Sequence, residues 1–578
     1  MNPQTFLDAM RASDERAESL AHVETMPARE GASLPVPMAP ELSVRLRRLG
    51  VTGLWSHQAE ALAHARGGRS VAISTPTASG KSLVYQIAAS ERLQATRGAT
   101  AFAIFPTKAL AQDQLRQIRS FAMTWIRAAV YDGDTPSSER AWIRNNANLV
   151  ITNPDMLHYG ILPQHERWTR FLQGLSVVAI DEMHSLRGVF GSHVANVLRR
   201  LRRAAERRGA RPLFIGSSAT IGNPAELGER LTGVPFEEVR EDGSPAGEKL
   251  FALWNPPLID AETGVRRSAN AEAATLLAKL VETQTRTIAF AKSRKGAELI
   301  ARFAKQALED IGPHVAGRIE PYRAGYLPEE RREIEQAMVS GELLGIAATT
   351  ALELGIDIGG LDACVLAGYP GTVASTRQQA GRAGRAQQRS LAVLVAQDDP
   401  LDQYIISHPA ELFDRPHESA IIDNGNPNIL DPHVTCAAFE SALEDGDAAY
   451  FGPGYGAAVE RLLAAGTLRR RGKKLFYART GSPAQDVDIR STGGIVRIAD
   501  RDTGALLGTV DAARAPATVH EGAIYLHRGE QFRVTDLDLD ARVAFVEPSE
   551  DDYYTQSRDI TDIRVLDVIH KTRLGRVD

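Results

Sequence analysis

The sequence predicts an α/β fold with two tandem α/β units, each built on a parallel sheet, followed by a helix-and-hairpin module and a small β domain. Short apolar runs alternate with helical stretches twice in succession up to about residue 400. A helical stretch with a basic hairpin follows, and beyond it short strands recur about every ten residues. A chain of 578 residues is also too long for one hydrophobic core, so we expect several domains.

The apolar runs of the two α/β units have the length of buried strands. In the first unit they are SVAIST, ATAFAIF, NLVIT, LSVVAID and PLFIGSSAT, and in the second TRTIAFA, LLGIAATT, ACVLAG and LAVLVA. Such runs, separated by helices, are typical of parallel strands covered on both faces. We predict one α/β domain over residues 46–245 and another over 246–400, after a loose N-terminal extension, residues 1–45.

The pattern changes after residue 400. Residues 401–430 are predicted as a linker, and residues 431–485 as a helix followed by the hairpin TLRRRGKKLFYAR with Gly472 at its tip, which suggests a winged-helix-like module. The runs IVRIAD, LLGTV, AIYLH, FRVTDL and RVAFVE over residues 486–578 predict a small β-barrel-like domain. The sequence stops in mid-pattern at HKTRLGRVD, so we expect this domain to be truncated.

Composition excludes several classes of protein. Hydrophobic residues make up 43% and charged residues 24%, which is typical of a globular protein. No apolar stretch reaches the roughly 18 residues of a membrane span, and the charged N-terminus lacks the apolar core of a signal peptide. We therefore expect a cytoplasmic protein without a membrane partner. The net charge of −5 leaves room for a local basic groove.

A phosphate-binding loop follows the strand VAIST. It reads Pro76-Thr77-Ala78-Ser79-Gly80-Lys81-Ser82 and opens a helix. Backbone N–H groups of such a loop surround phosphates, while Lys81 reaches the β- and γ-phosphates of ATP and the Ser82 hydroxyl binds Mg²⁺. A GKS tripeptide also arises by chance, but the strand–loop–helix context favours the loop. The first position of the usual pattern is Thr75 rather than glycine.

Two acidic residues, Asp181 and Glu182, follow the strand SVVAI directly. A carboxylate at a strand's carboxyl end beside a phosphate loop can hold Mg²⁺, which makes Asp181 a metal candidate. Glu182 can orient and deprotonate the attacking water. The alternative, a solvated acidic loop end, is less consistent with this position about 100 residues after the loop.

A third motif, Gln378-x-x-Gly381-Arg382-x-Gly384-Arg385, lies far along the chain. The guanidinium groups of Arg382 and Arg385, fixed in a loop, could neutralise charge developing on the γ-phosphate. Taken alone, an Arg/Gly-rich loop is equally typical of a simple surface turn.

In their order, the motifs resemble those of superfamily 2 helicases of the DEAD/DEAH and RecQ kind. The series over about residues 54–398 is SHQAE, PTASGKS, PTKALAQDQ, TNPD, DEMH, SSAT, IAFAKSRKGAE, TTALELGIDIG and QQAGRAGR. The resemblance implies two tandem RecA-like P-loop domains that hydrolyse ATP with Mg²⁺. It also implies that Gln58 reads the adenine edge, and that Gly355 and Asp357 lie on the nucleotide. Ser218, Thr220 and Gln378 are then expected to couple hydrolysis to domain movement.

A narrower resemblance lies downstream. The stretches IIDNGNPNILDPHVTCAAFE, GTVDAARAPATVHEGAIYLHRGE and VEPSEDDYYTQSRDITDI are similar to those of bacterial MrfA/SftH helicases. That family implies a 3′→5′ DNA translocase and helicase in DNA repair, with a four-cysteine zinc module. Only Cys364 and Cys436 occur here, without CxxC spacing, so we predict ATP and Mg²⁺ as cofactors but no zinc.

The resemblance also implies where nucleic acid would bind. Single-stranded DNA would cross both halves on loops and helix N-termini that contact backbone phosphates. The candidates are Pro106, Thr107, Lys108, Thr152, Asn153 and Pro154 in the first half and Lys292, Ser293, Arg294, Thr349 and Thr350 in the second. The hairpin residues Arg469, Arg470, Arg471, Lys473 and Lys474 are a separate candidate, with a solvated charged face as the alternative.

We therefore expect an ATP-dependent DNA helicase in a bacterial cytoplasm, associated with the nucleoid. Its partners would be single-stranded DNA and tailed or forked duplex DNA, with a repair nuclease as a further candidate partner and a monomer as the expected state. The alternatives are an ATP-gated RNA helicase or RNA clamp, and a DNA-binding scaffold with an inactive motor. Met183-His184, where DEAD-box RNA helicases carry Ala-Asp, weakens the RNA assignment, and Lys81, Glu182 and Arg382 argue against an inactive motor.

Overall fold

The computed structural model describes residues 2–12, 14–260, 262, 264–353, 360–384, 388–490, 495–512, 514–527, 530–551, 553 and 555. It divides into one unit over Met1–Ser491 and a second over Thr492–Asp578.

The predicted N-terminal extension forms regular elements. They are α1 (Pro3–Arg11), β1 (Leu20–Met26), β2 (Ser33–Leu34), α2 (Pro40–Arg48) and β3 (Leu54–Trp55). The apolar face of α1 packs into the core of the second half, and β1 joins the sheet of that half. Leu42 and Leu46 of α2 are buried in the core of the first half. The segment is held by both halves because its apolar residues are shared between their cores.

The first half is a seven-stranded parallel sheet with helices on both faces. Its elements are α3 (Ser56–Arg66), β4 (Val71–Ser74), α4 (Ser82–Ala95), β5 (Thr100–Ile104), α5 (Lys108–Ser120), β6 (Ala128–Val130), α6 (Ser137–Asn146), β7 (Leu149–Thr152), α7 (Pro154–Met156), α8 (Thr169–Gln173), β8 (Leu175–Ile180), α9 (Gly188–Glu206), β9 (Leu213–Ser218), α10 (Pro224–Thr232) and β10 (Glu237–Val239). The strand order is β10-β4-β9-β8-β5-β7-β6. All neighbours are parallel, as predicted.

The second half repeats this architecture. Its elements are β11 (Lys249–Trp254), β12 (Leu258–Asp260), β13 (Val265–Arg266), α11 (Ala269–Glu282), β14 (Thr287–Ala291), α12 (Arg294–Glu309), α13 (Pro313–Ala316), β15 (Ile319–Tyr322), α14 (Pro328–Ser340), β16 (Gly345–Ala348), β17 (Ala363–Ala367), α15 (Val373–Ala380) and β18 (Ser390–Val395). The sheet order is β1-β11-β18-β17-β14-β16-β15. Only the added β1 is antiparallel to its neighbour in this sheet; the remaining pairs are parallel.

The segment after β18 leads to a helical module with the predicted basic hairpin. The elements are α16 (Pro400–Ser407), α17 (Ala410–Phe413), α18 (Pro427–Glu440), α19 (Ala448–Phe451), α20 (Tyr455–Ala464), β19 (Leu468–Arg471) and β20 (Lys474–Tyr477). Gly472 adopts φ +60° at the tip, as a tight hairpin requires. Within the predicted linker, Glu418 accepts hydrogen bonds from the Val373 and Ala374 N–H groups and thereby caps α15.

An arginine-rich face of α9 fixes this helical module to the first half. Arg200 and Arg203 are fully buried and pair with Glu440 and Asp447. The Arg200 guanidinium also donates to Nδ1 of His158 (2.9 Å) and of His433 (3.1 Å). The run RRLRR, which resembles a phosphate-binding surface, is therefore an internal interface.

The second unit contains a single five-stranded sheet among its described residues. Its elements are β21 (Ile495–Asp500), β22 (Leu506–Asp511), α21 (Ala515–Thr518), β23 (Ile524–His527), β24 (Glu530–Asp538) and β25 (Val543–Pro548). The order is β22-β21-β25-β24-β23, and alternate residues form one buried face. The sequence predicted each of these strands.

Candidate active site

The phosphate loop joins β4 to α4 and is braced from within. Ala78 and Gly80 adopt φ +65° and +81°, which turn successive N–H groups toward one side. The Thr75 hydroxyl lies 2.7 Å from the Ser79 hydroxyl. Threonine in place of the usual first glycine therefore closes the loop with a side-chain hydrogen bond. The Lys81 ammonium donates to the carbonyls of Thr75 and Pro76, at 2.8 Å each.

Gln58 sits directly against this loop. Its Oε1 accepts from the Trp55 N–H (2.9 Å), and its Nε2 donates to the Gly80 carbonyl (2.9 Å). Gly80 has φ +81°, a conformation that favours glycine, and a Cβ atom there would also come within 2.5 Å of the Gln58 Nε2. Reading an adenine edge, the predicted role of Gln58, requires one of its two bonds to be exchanged.

The acidic pair lies where β8 ends. The Asp181 carboxylate accepts from the Tyr85 hydroxyl (3.1 Å), the Ser217 hydroxyl and the Glu182 N–H (3.0 Å). Burial, together with the neighbouring Glu182 carboxylate, raises the pKa of Asp181 to about 6. Burial also raises the pKa of Glu182, against the opposing effect of Lys81 and Arg382. These charges therefore share one buried site.

The donor set fits a nucleotide-bound magnesium ion. The Tyr85 hydroxyl contacts both the Ser82 hydroxyl and the Asp181 carboxylate. Oxygen ligands from one hydroxyl and one carboxylate, completed by phosphate and water, are what Mg²⁺ prefers. Among the described residues, no group of three or more His, Cys, Asp or Glu side chains could hold a metal ion. Cys364 in β17 and Cys436 in α18 are both buried.

The second half contributes Arg382 across the cleft. Its guanidinium donates to the Glu353 carbonyl (2.5 Å). Burial lowers the pKa of Lys81 and the Arg382 charge adds to this effect, whereas at Glu182 the same charge partly offsets the rise in pKa that burial causes. A Cβ atom on Gly381 would lie 3.4 Å from the Thr77 hydroxyl, so the two motifs nearly touch. The cleft between them has a volume of about 1040 Å³. Arg385, Gly355 and Asp357 lie outside the described residues.

Of the residues predicted to couple hydrolysis to movement, Gln378 is linked to the first half through His184, and Thr220 lies near Gln378. His184 Nδ1 accepts from the Ala219 N–H (3.1 Å), and His184 shares a side-chain hydrogen bond with Gln378 of the second half. Thr220 and Gln378 line one cavity together. The buried Ser218 hydroxyl has no hydrogen-bond partner. Burial lowers the pKa of His184 to about 4, so this histidine is neutral near pH 7.

The nucleic-acid candidates fall at the carboxyl ends of strands in both sheets. Thr107, Asn153 and Ser293 cap α5, α7 and α12, and Thr349 caps the short 3₁₀ turn Thr350–Leu352. Their helices direct N–H groups to the same edge of each sheet. Lys108 pairs with Asp134 at 2.7 Å.

Other candidates are held differently. Lys292 approaches Asp402 to 3.5 Å. Thr152 is buried, and its hydroxyl donates to the Tyr131 carbonyl (2.7 Å), so it does not face the surface. Arg469, Arg470 and Arg471 are exposed on β19, and Lys473 and Lys474 are exposed beside them.

Arg490 is a residue that the sequence analysis missed. It donates to the Pro106 carbonyl (3.1 Å) and to the Asp155 carboxylate (2.8 Å), and it lies 4.7 Å from the centre of the Phe190 ring. Its side chain therefore contacts Pro106, one of the residues predicted to bind nucleic acid. No local pattern marks it, because its partners lie hundreds of positions earlier.

Fold and site together define a nucleotide-driven motor with two RecA-like halves. Residues 55–227 match the DEAD/DEAH box helicase family, and residues 272–387 match the helicase conserved C-terminal domain. Residues 422–492 match the winged helix domain of the ATP-dependent helicase HRQ1, which confirms the predicted winged-helix module.

Whole-chain comparisons agree with these matches. The ATP-dependent helicase YprA of Bacillus subtilis is 40% identical, covering 95% of this chain and 74% of YprA. The ATP-dependent helicase hrq1 of Schizosaccharomyces pombe is 38% identical, and HRQ1 of Saccharomyces cerevisiae is 36% identical. Each yeast match covers 96% of this chain but 53% of the yeast protein, so the chain spans about half the length of these relatives.

Two solved structures match nearly the full length of this chain. The DUF1998 helicase MrfA bound to DNA superposes with a TM-score of 0.90 at 38% identity, covering 96% of this chain and 75% of that one. MrfA bound to DNA and AMPPNP gives 0.90 at 39% identity, covering 97% and 79%. The chain belongs to the DEAD/DEAH-box ATP-dependent helicases, in the group that includes YprA, HRQ1 and MrfA, and it is an ATP-hydrolysing enzyme. No described helix is long and apolar enough to cross a membrane.

Proposed function

We propose that this chain is a DNA translocase and helicase that moves 3′→5′ along single-stranded DNA and acts in DNA repair. The observation that carries the proposal is the electrostatic interaction of Lys81 and Glu182 of the first half with Arg382 of the second, in a fold that superposes on DNA-bound MrfA. Polarity and the repair role rest on the resemblance to the MrfA group.

Each residue of the cleft has a separate part in the proposed reaction. Lys81 holds the β- and γ-phosphates, and Glu182 takes the proton of the attacking water. Arg382 acts on the γ-phosphate from the opposite half, so hydrolysis requires the halves to close. Ser82 and Asp181 would hold Mg²⁺, which would supply charge neutralisation at the phosphates. Gly355, Asp357 and Arg385 are proposed to complete the site.

Nucleic acid is proposed to cross the capped helix N-termini of both halves. Backbone N–H groups and small hydroxyl side chains bind phosphates without reading base sequence, as a translocase requires. The exposed hairpin β19–β20 would contact the duplex ahead of the motor. Direct contact with phosphates by Lys108 or Lys292 needs exchange of its present acidic partner.

Strand displacement on four substrates tests this proposal. DNA and RNA duplexes, each with a 3′ or a 5′ single-stranded tail, are incubated with ATP and Mg²⁺, and Glu182→Gln serves as the inactive control. We expect displacement of the DNA duplex with a 3′ tail, and ATPase stimulated by single-stranded DNA. Preference for the RNA duplexes would support the RNA helicase alternative instead. ATP-dependent binding to RNA without displacement would support an RNA clamp.

A further inference from the structure

Two chain segments, rather than one, connect the halves. Residues 27–34 and 240–249 both run from one half to the other, and an isolated antiparallel bridge between Arg29 and Ala246 joins them into a ribbon. The Arg29 N–H donates to the Ala246 carbonyl (2.8 Å), and the Ala246 N–H donates to the Arg29 carbonyl (3.0 Å). The Ala32 N–H donates to the Gly243 carbonyl (2.8 Å). A paired ribbon is stiffer than a single linker, so it constrains how the halves move.

The ribbon lies directly on the start of α3, which carries Gln58. The Ser56 N–H donates to the Ala32 carbonyl at 2.8 Å. A Cβ atom on Gly31 would lie 2.5 Å from the Trp55 ring, and one on Gly243 would lie 2.0 Å from the Ser56 hydroxyl. Glycines at both positions permit this approach. The ribbon is thus packed against the helix that contacts the phosphate loop.

His57 connects the phosphate loop to the ribbon. Its Nε2 lies 3.1 Å from the Ser79 carbonyl, which can only accept, so Nε2 carries the proton. Its Nδ1 accordingly accepts from the Gly243 N–H at 3.2 Å. Burial lowers the pKa of His57, which agrees with this neutral tautomer. A shift of the Ser79 carbonyl on nucleotide binding would therefore be felt at Gly243.

An ion pair between Arg29 and Asp242 also joins the two segments of the ribbon, next to the Gly243 that His57 contacts. The Arg29 guanidinium donates to the Asp242 carboxylate and, through Nε, to the Ser244 carbonyl (2.9 Å). The Asp242 side chain is 7% exposed and that of Arg29 is 45% exposed. Both residues line the nucleotide cleft beside Thr77. The remaining Asp242 oxygen accepts from the Ser244 N–H and hydroxyl, so the carboxylate has a fixed orientation.

We propose that Arg29, through Asp242, is a positioning residue that couples nucleotide occupancy of the phosphate loop to closure of the two halves. The path runs from the Ser79 carbonyl through His57 and Gly243 to the ribbon, and Arg29 holds the ribbon in one register. Without the ion pair, ATP would still bind the phosphate loop. The halves would close less often, so Arg382 would less often reach the bound ATP.

Closure can be measured by energy transfer between two dyes. Both native cysteines are buried, so cysteines introduced at the exposed positions Gln94 and Asp310 can be labelled selectively. The full chain is titrated with AMPPNP alone and then with AMPPNP and a single-stranded oligonucleotide. Arg29→Ala is compared with Arg29→Lys, with the exchanged pair Arg29→Asp/Asp242→Arg, and with Arg48→Ala on α2 as an exposed control.

We expect Arg29→Ala to reduce kcat and the nucleotide-induced energy-transfer change by about tenfold, within the usual range of coupling between sites. ATP affinity should change less than closure, and the exchanged pair should recover part of the loss. Wild-type closure in Arg29→Ala overturns the inference, as does an equal loss of ATP affinity and kcat, which would indicate direct nucleotide contact. If Arg29→Ala does not fold, Arg29→Gln, which removes the charge but keeps most of the side chain, decides by the same criteria. If the wild-type chain closes with AMPPNP but shows no further energy-transfer change with the oligonucleotide, the result would count against the proposed DNA function and not against this inference.

Discussion

Lys81 and Glu182 belong to the same site, and replacing each is expected to impair a different step, ATP binding for Lys81 and hydrolysis for Glu182. Lys81→Ala removes the ammonium that would hold the β- and γ-phosphates, so ATP affinity should fall. Glu182→Gln keeps the size of the side chain but removes the base, so hydrolysis should slow by roughly 10²–10⁴-fold while ATP stays bound. Fluorescent-nucleotide binding and steady-state ATPase separate the two effects. Near wild-type turnover in Glu182→Gln would assign the base to another group.

Arg382 tests whether the second half completes the site. Arg382→Ala should slow hydrolysis by roughly 10³-fold, the usual effect of removing an arginine finger, with a much smaller change in ATP affinity. Arg389→Ala, an exposed arginine beyond the same motif, is the matched control and should leave kcat unchanged. Single-turnover ATPase makes the measurement. Loss of binding with little loss of kcat would place Arg382 outside the γ-phosphate site.

At the scale of elements, the hairpin β19–β20 is expected to bind DNA rather than to take part in hydrolysis. Replacing Arg469, Arg470 and Arg471 with Ala should weaken DNA affinity and flatten its salt dependence by roughly one log–log unit per lost phosphate contact. ATPase at saturating DNA should persist. The matched control replaces Arg45, Arg47 and Arg48 of α2. If DNA affinity and its salt dependence are equal in the two triple variants, the hairpin is a solvated charged face and does not bind DNA.

The interface between α9 and α18 should weaken in acid. Arg200 can only donate, so Nδ1 of His158 and of His433 must be unprotonated, and burial lowers the pKa of His158 to about 3 and that of His433 well below its usual value. Below pH 6.5 these histidines bind protons in the unfolded chain but stay neutral in the folded chain. Their contribution to the free energy of unfolding is therefore full above this pH and falls as the pH decreases.

His433→Asn should remove part of that pH dependence. Between pH 7 and 5.5, one such histidine changes the free energy of unfolding by about 1 kcal/mol. Chemical denaturation at both pH values measures the difference, and His314→Asn, an exposed histidine of the second half, is the control. An identical pH dependence in the wild type and in His433→Asn would contradict the neutral assignment.

The elements also show how far a sequence alone leads. Inner strands such as β4, β8 and β17 were predictable because both faces are buried and nearly every residue is apolar. The edge strands β1, β6, β10 and β15 were missed, because they are short or carry charged residues among the apolar ones, and the inner strand β11 was missed as well. Lys81, Glu182 and Arg382 lie in motifs that local spacing reveals. Arg29, Asp242 and Arg490 act through contacts between distant segments, for which the sequence holds no local signal.

At the scale of the whole molecule, the predicted cofactors are ATP and Mg²⁺ without zinc. Cys364 and Cys436 lie in separate elements, and burial raises the pKa of each thiol to about 12, which disfavours the thiolate that zinc requires. A zinc chelator should leave the melting temperature unchanged, whereas Mg²⁺ removal should abolish ATPase. Elemental analysis checks the metal content, and stoichiometric zinc in the purified chain would contradict this prediction.

The place of β1 has a consequence for synthesis on the ribosome. Val23 of β1 pairs with Ala252 of β11, so the first strand emerges at least roughly ten seconds before its partner at ordinary translation rates. Until then it stays tethered to the nascent first half. Contacts of such sequence separation form slowly because a long loop must close first. After β11 has paired with β18 and until β1 joins it, β11 forms an open edge of the second sheet, which is where aggregation of the nascent chain would begin.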